Sequence, residues 1–206
     1  MPLQNRVAPT GDIIAHPARG LFMGNRGILH DGARRLGTPR WRHPHWIVCL
    51  TAFRGRSRVP MTPGRYTELF FLDEGVALAA GHRPCAECRR ADWLGFLAAW
   101  RTGTGDGVRG AADLDRALHA ARLVPRRRAQ RRFPARLAGL PDGTFVDAGQ
   151  GPCLVLGTRL LPWSPGGYRA AQACATDATV AVLTPAPTVA ALAAGYRPVL
   201  HDSATA

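Results

Sequence analysis

The stretch from Leu69 to Cys88 constrains this chain more than any other. Leu69-Phe70-Phe71-Leu72 has the apolar and aromatic character of a strand. Asp73 is a helix N-cap, Glu74 to Ala80 a short helix and Gly81 its left-handed terminator. His82-Arg83-Pro84-Cys85-Ala86-Glu87-Cys88 then places two thiols two residues apart at a defined point, with Arg83, Arg89 and Arg90 around them. A Cys-x-x-Cys turn in a reducing compartment is a grip for one soft metal ion, for which zinc is the expectation, or else a redox pair; redox pairs normally open a longer helix in a βαβ setting.

The charge is lopsided. Net charge is +13, and all 27 basic residues are arginine. A GC-rich genome accounts for arginine replacing lysine, but not for the shortage of acids, so the excess predicts a polyanionic partner: DNA, with RNA also open. Arg126, Arg127, Arg128, Arg131 and Arg132 form a basic block, and with Arg26, Arg83, Arg89 and Arg90 they are the candidate phosphate contacts. Five cysteines and an N-terminus without an apolar run lead to the expectation of a cytoplasmic protein with reduced thiols. No run of about 18 apolar residues occurs, so no membrane role is expected, and nothing identifies a protein partner.

With 206 residues and 46% apolar content, the chain has room for one good core or two small ones. The pattern predicts an α+β fold. Residues 1–45, broken by Gly20, Gly24, Gly27, Gly32 and Gly37, read as ordered loops with one short strand near Ile13-Ile14. Strands are expected at Trp46–Phe53, Ser57–Met61 and Thr67–Leu72, and helices at Arg90–Arg101 and Ala112–Leu123. Further strands are expected at Gly143–Asp147, Cys153–Gly157, Arg159–Trp163 and Thr179–Leu183. The glycine-rich segment 103–112 divides a first unit, 1–102, from a second half, 113–206. The second half echoes the first: Val189-Ala-Ala-Leu-Ala-Ala-Gly195-Tyr196-Arg197-Pro198 parallels Gly75-Val-Ala-Leu-Ala-Ala-Gly81-His82-Arg83-Pro84, with Val199 and Asp202 in place of the cysteines.

The text Phe70-Phe71, Ala79-Ala80-Gly81 and His82-Arg83-Pro84-Cys85-Ala86-Glu87-Cys88-Arg89 resembles the Ada-type metal-binding module, which repairs methylphosphotriesters in DNA. The resemblance covers about residues 46–90. It implies a small zinc-knuckle unit, zinc as the cofactor and DNA as the partner. It also aligns His45-Trp46-Ile47-Val48-Cys49 with the strand that carries the methyl-accepting thiolate. The chain departs from the family four residues beyond Cys49, where Phe53 stands in place of a further cysteine. The ligand set expected is therefore Cys85, Cys88 and Cys49, with a fourth from His82, His45 or His43.

The function expected is zinc-dependent recognition or repair of damaged DNA. The alternatives are a DNA-processing hydrolase, such as a glycosylase or nuclease, and a non-catalytic nucleic-acid-binding protein. Beside Cys49, the candidate catalytic groups are Glu68 on a strand near the knuckle and His30 and Asp31 in the glycine-rich loops.

Overall fold

The computed structural model describes residues 1–55, 59–124, 129–173, 175 and 177–205, and the fold is α+β. Among these residues the strands are β1 (Gln4–Val7), β2 (Ile13–Ala15), β3 (Phe22–Asn25), β4 (Ile47–Leu50), β5 (Leu69–Phe71), β6 (Arg83–Pro84), β7 (Phe133–Arg136), β8 (Phe145–Asp147), β9 (Pro152–Leu156), β10 (Arg159–Ser164), β11 (Gly167–Tyr168), β12 (Gln172–Ala173) and β13 (Thr179–Val182). The α-helices are α1 (Glu74–Ala79), α2 (Arg90–Thr104), α3 (Ala111–Arg122) and α4 (Ala186–Ala193). One sheet runs β2-β1-β5-β3-β4-β6 and mixes parallel and antiparallel pairs. The other runs β11-β10-β9-β8-β13-β7, with β12 on β10, and is antiparallel.

Helix α1 is the hub. Beyond Glu74 at its start it is apolar all round and built largely from small residues, so it can be enclosed completely. Val76, Ala77, Ala79 and Ala80 pack with Phe22, Val48, Leu69 and Phe71 of the first sheet and with Phe145, Leu154 and Leu161 of the second. Leu78 points instead into a helical cluster of Trp93, Phe96, Leu97 and Trp100 from α2, Leu114 and Leu118 from α3, and Leu192 from α4. Residues on both sides of 103–112 thus share one core. Helix α2 runs on to Thr104, and Gly103 presses so closely on α4 that a Cβ there would lie 2.2 Å from the Ala190 carbonyl oxygen.

Two buried acids begin α1 and tie down the end of the chain. Asp73 caps the helix by accepting from the Val76 amide (2.9 Å), and it also accepts from the Tyr168 hydroxyl (2.7 Å) and the His201 amide (3.1 Å). Burial raises its carboxyl group above the ordinary aspartate range against these hydrogen bonds. Glu74, with no exposed side chain, pairs with Arg89 (2.8 Å) and accepts from the Tyr196 hydroxyl (2.6 Å) and the Val199 amide (2.9 Å).

The internal echo has a structural counterpart. His82 N–H donates to Ala77 and Gly81 N–H to Leu78; at the end of α4, Tyr196 N–H donates to Ala191 and Gly195 N–H to Leu192. Both are Schellman closures with the glycine at positive φ, +79° and +104°. The chain therefore contains two strand–helix–turn units closed in the same way.

The glycine-rich first 45 residues are more regular than their composition predicts, because β1 and β3 lie within them. β3 contains Gly24, read in the sequence as a loop residue. Its role is close approach, since a Cβ there would meet the Ile47 carbonyl oxygen of β4 at 2.1 Å. The strand expected at Ser57–Met61 falls partly outside the described residues, and Val59–Met61 is not extended into a sheet.

Candidate metal centre

Local rules carry the chain to the site. After α1, the Gly81 turn reverses the backbone, and Arg83-Pro84 enters the sheet as β6, parallel to β4, with Val48 opposite Pro84. Proline cannot donate to a ladder, and β6 is an edge strand, where this costs nothing. The Cys85 amide then donates to the Val48 carbonyl (3.0 Å), which sets the knuckle beside Cys49 on β4. Within the knuckle the Glu87 amide donates to Cys85 Sγ (3.4 Å) and the Arg89 amide to the Cys85 carbonyl (3.2 Å).

The three sulfurs of Cys49, Cys85 and Cys88 lie within 4.8 Å of one another. A tetrahedral ion bound at Zn–S distances near 2.3 Å spaces its sulfurs about 3.8 Å apart, so small side-chain adjustments bring this set onto one ion. The three cysteines could hold a metal ion. Their acidities are mutually dependent: a hydrogen bond from the Cys49 thiol pulls Cys85 down to about 5, and that same bond, with burial, pushes Cys49 up. Burial, partly offset by the Leu50 amide, raises Cys88. Cys85 is buried, whereas Cys49 and Cys88 are half-buried at the wall of a pocket of about 670 Å³ that Tyr66, Glu68, Phe70 and Glu87 also line.

The histidines expected as a fourth ligand lie elsewhere. His82 is fully buried between the rings of Trp46 and Phe71, centroids 5.3 and 4.6 Å away, and its Nε2 accepts from Arg26 at 3.4 Å. It stands three positions before Cys85 in extended chain, an odd offset, so the two side chains leave opposite faces. His45 Nδ1 is bonded to Asp115 (2.8 Å), and His43 lies against the His45 ring. Among the described residues, three thiols and no imidazole make up the group.

Of the candidate catalytic groups, only Cys49 and Glu68 line this pocket. Glu68 is buried, and its Oε2 accepts from the amide of Met61 (2.7 Å), whose backbone holds a left-handed φ of +57°. His30 is a structural tie, with Nδ1 bonded to the Thr67 hydroxyl (2.6 Å) and Nε2 to the Thr62 carbonyl (3.2 Å). Asp31 is turn chemistry: its carboxylate accepts from the amides of Ala33 and Arg35, and the Arg35 amide bond does most to hold it below the ordinary aspartate range.

Three arginines expected on the surface are interior. Arg83 is bidentate on the buried Asp115 (2.9 Å to each oxygen), Arg89 pairs with Glu74 and Asp92, and Arg26 lies against the Trp46 ring, 4.2 Å from its centroid. Arg83 and Arg89 sit where a buried carboxylate awaits them, which accounts for their removal from solvent. Arg90, Arg131 and Arg132 are exposed, while Arg126, Arg127 and Arg128 lie outside the described residues. Among the described residues the buried charges balance in number, since Arg26, Arg83, Arg89 and Arg122 stand against Glu68, Asp73, Glu74 and Asp115. Among those residues the excess of bases over acids is therefore not an interior property.

Sequence reasoning missed Glu87 and Tyr66 of the pocket and Asp115, the anchor of Arg83 and His45. Asp115 sits between Leu114 and the polar face of α3, and no short-range pattern links it to residue 45 or 83. Among the described residues, no helix is long and apolar enough to cross a membrane. The chain matches no protein-family model, no curated protein and no solved structure.

Proposed function

We propose that this chain is a zinc-dependent DNA-binding protein that recognises or repairs damaged DNA, with Cys49, Cys85 and Cys88 as the zinc ligands. The observation that carries the reading is the convergence of three sulfurs, one from β4 and two from the knuckle, at the wall of an open pocket. Zinc bound there would keep the sulfurs deprotonated at neutral pH. Three thiolates outweigh a dication, so charge remains on sulfur, which suits a sulfur nucleophile better than activation of water. Cys49 is the half-exposed sulfur on the strand, and it is the acceptor in this reading. Its sulfur attacks the methyl carbon of a methylated phosphate, an S–C bond forms, and the C–O bond breaks. The electron pair stays on the phosphate oxygen and restores the diester. The outward excess of positive charge supports a DNA partner independently.

The test is to incubate the protein with DNA carrying isotopically labelled methylphosphotriesters and to map the label by mass spectrometry. Label on Cys49, lost in Cys49→Ser while DNA binding persists, is expected. A zinc-loaded protein that binds the DNA and never acquires label refutes alkyl acceptance.

A second reading, a DNA-processing hydrolase, draws on Glu68, a buried carboxylate lining the same pocket as the sulfurs. Release of a base or strand from damaged duplexes that vanishes in Glu68→Gln would favour it. Salt-sensitive binding with neither transfer nor turnover would leave a non-catalytic DNA- or RNA-binding protein.

A further inference from the structure

Consecutive residues of extended chain face opposite sides of a sheet. Asn25 and Ile47 line the cysteine pocket, whereas their neighbours Arg26 and Trp46 line a different cleft of about 590 Å³. This second cleft therefore opens on the other side of β3 and β4, and nothing in it depends on the sulfurs. Arg40, Trp41, Gln130 and Arg132 complete the parts of its wall that matter here.

Its electrostatics are unusual. Arg26 and Arg122 lie against the Trp46 ring, 4.2 and 3.7 Å from its centroid, and both are buried. Among the described residues, neither has a carboxylate as a hydrogen-bond partner. Arg26 donates to the carbonyls of Gly11 and Ala80 and to His82, and Arg122 donates to the carbonyls of Gly81 and Pro44 and contacts His119. Burial lowers Arg26 to about 9 and Arg122 to about 8, and Asp12 near the first and Asp115 near the second only partly offset it. Arg40 and Arg132 add two more guanidiniums at the cleft, against a single lining carboxylate, Asp12, whose Oδ2 already accepts from Thr10. Arg132 also reaches Asp147 at 3.5 Å, a pair open to solvent. The Gln130 Oε1 is buried with no hydrogen-bond donor, while its Nε2 donates to Ala80. Trp41, half-buried, offers a flat apolar surface at the same place.

An anion, a flat ring and a hydrogen-bond donor are what this wall lacks. We infer that the Arg26–Arg40–Arg132 cleft is a binding site for one nucleotide. Its phosphate would lie among the guanidiniums and its base on Trp41, with an N–H or O–H of the base or sugar free to satisfy Gln130. Both a free nucleotide and a nucleotide within a strand carry this chemistry.

The test uses the full-length, metal-loaded protein. Tryptophan fluorescence and calorimetry follow titration with inorganic phosphate, a deoxynucleoside 5′-monophosphate and a single-stranded oligonucleotide. Saturable binding of the monophosphate is expected, tighter than that of phosphate alone. Arg40→Ala and Arg132→Ala, at sites that do not hold the core, should each raise Kd by about tenfold. Arg159→Ala, an exposed arginine outside the cleft, should leave it unchanged. Monophosphate binding without oligonucleotide binding would uphold the site and identify a small-molecule ligand, while counting against the DNA reading of the cysteine centre. The inference is overturned if no monophosphate binds, if only the oligonucleotide binds, or if Arg159→Ala weakens binding as much as the cleft variants do.

Discussion

Replacing Glu74 by glutamine should unsettle both the fold and the knuckle. Its carboxylate faces Arg89 at 2.8 Å, with the two side chains 0% and 1% exposed, and it also accepts from the Tyr196 hydroxyl and the Val199 amide. Among the described residues, the neutral amide leaves Arg89 with Asp92 as its one carboxylate, and that side chain is 42% exposed. Removing one partner of a buried pair costs about 3–5 kcal/mol. One amide oxygen cannot serve every donor, so about 1 kcal/mol more is lost with an orphaned donor. For a chain whose total stability is of order 5–15 kcal/mol, this is a large share. With a urea slope of about 2 kcal/mol/M, a loss of about 4 kcal/mol moves the midpoint down by roughly 2 M at unchanged slope. Because Arg89 follows Cys88 directly, metal retention should fall as well. The double variant Glu74→Gln/Arg89→Met should recover part of the loss, since no unpaired charge stays buried. A loss below about 1 kcal/mol, or strict additivity of the two substitutions, would refute the pairing argument.

Two glycines of α2 should respond with opposite sign. Gly95 is exposed, and a Cβ there would meet only Tyr196 Cε2, at 4.0 Å, so Gly95→Ala should stabilise by about 1 kcal/mol, whereas Gly103→Ala, driven into the Ala190 carbonyl, should destabilise; thermal unfolding of both separates helix propensity from packing. Gly81→Ala combines a left-handed residue, worth about 1–2 kcal/mol, with a Cβ 2.6 Å from Arg122 Cδ, so a drop of at least about 2 kcal/mol is expected by urea titration. His82 is held neutral in the fold by burial and then by Arg26, while the unfolded chain protonates it near pH 6.5. The unfolded state then binds the extra proton, so stability falls as pH drops below that value, and His82→Gln should flatten the midpoint temperature between pH 8 and 5. Asp73, with its carboxyl group raised, works in the opposite sense, gaining stability as pH falls through the acid range.

What was legible in the sequence was local. The Asp73 cap, the short helix expected at Glu74 to Ala80 and the Gly81 reversal are each set by near neighbours in sequence, and the structure has the cap, a helix over Glu74–Ala79 and the reversal. The paired cysteines were legible by spacing, whereas Cys49 entered only through the resemblance of His45-Trp46-Ile47-Val48-Cys49 to the acceptor strand. Distance in sequence hid the rest. Arg83 meets Asp115 and Arg89 meets Glu74, 32 and 15 residues apart, so two guanidiniums that read as a phosphate-facing rim are interior. His82 looked like a ligand by proximity, but an odd offset in extended chain sends it to the opposite face, under Trp46. β3 was hidden because its glycine, a turn signal in isolation, is there for close strand approach.

X-ray absorption at the metal edge of the purified protein, with metal-to-chain stoichiometry, tests the central claim most directly. One zinc per chain is expected, with three sulfurs near 2.3 Å and one lighter oxygen or nitrogen neighbour, and with one sulfur fewer in Cys49→Ser. A shell of four sulfurs would require Cys153 or Cys174 to join, and a protein that holds no metal when all three thiols are reduced would leave the cysteine cluster without its role; either result contradicts the account.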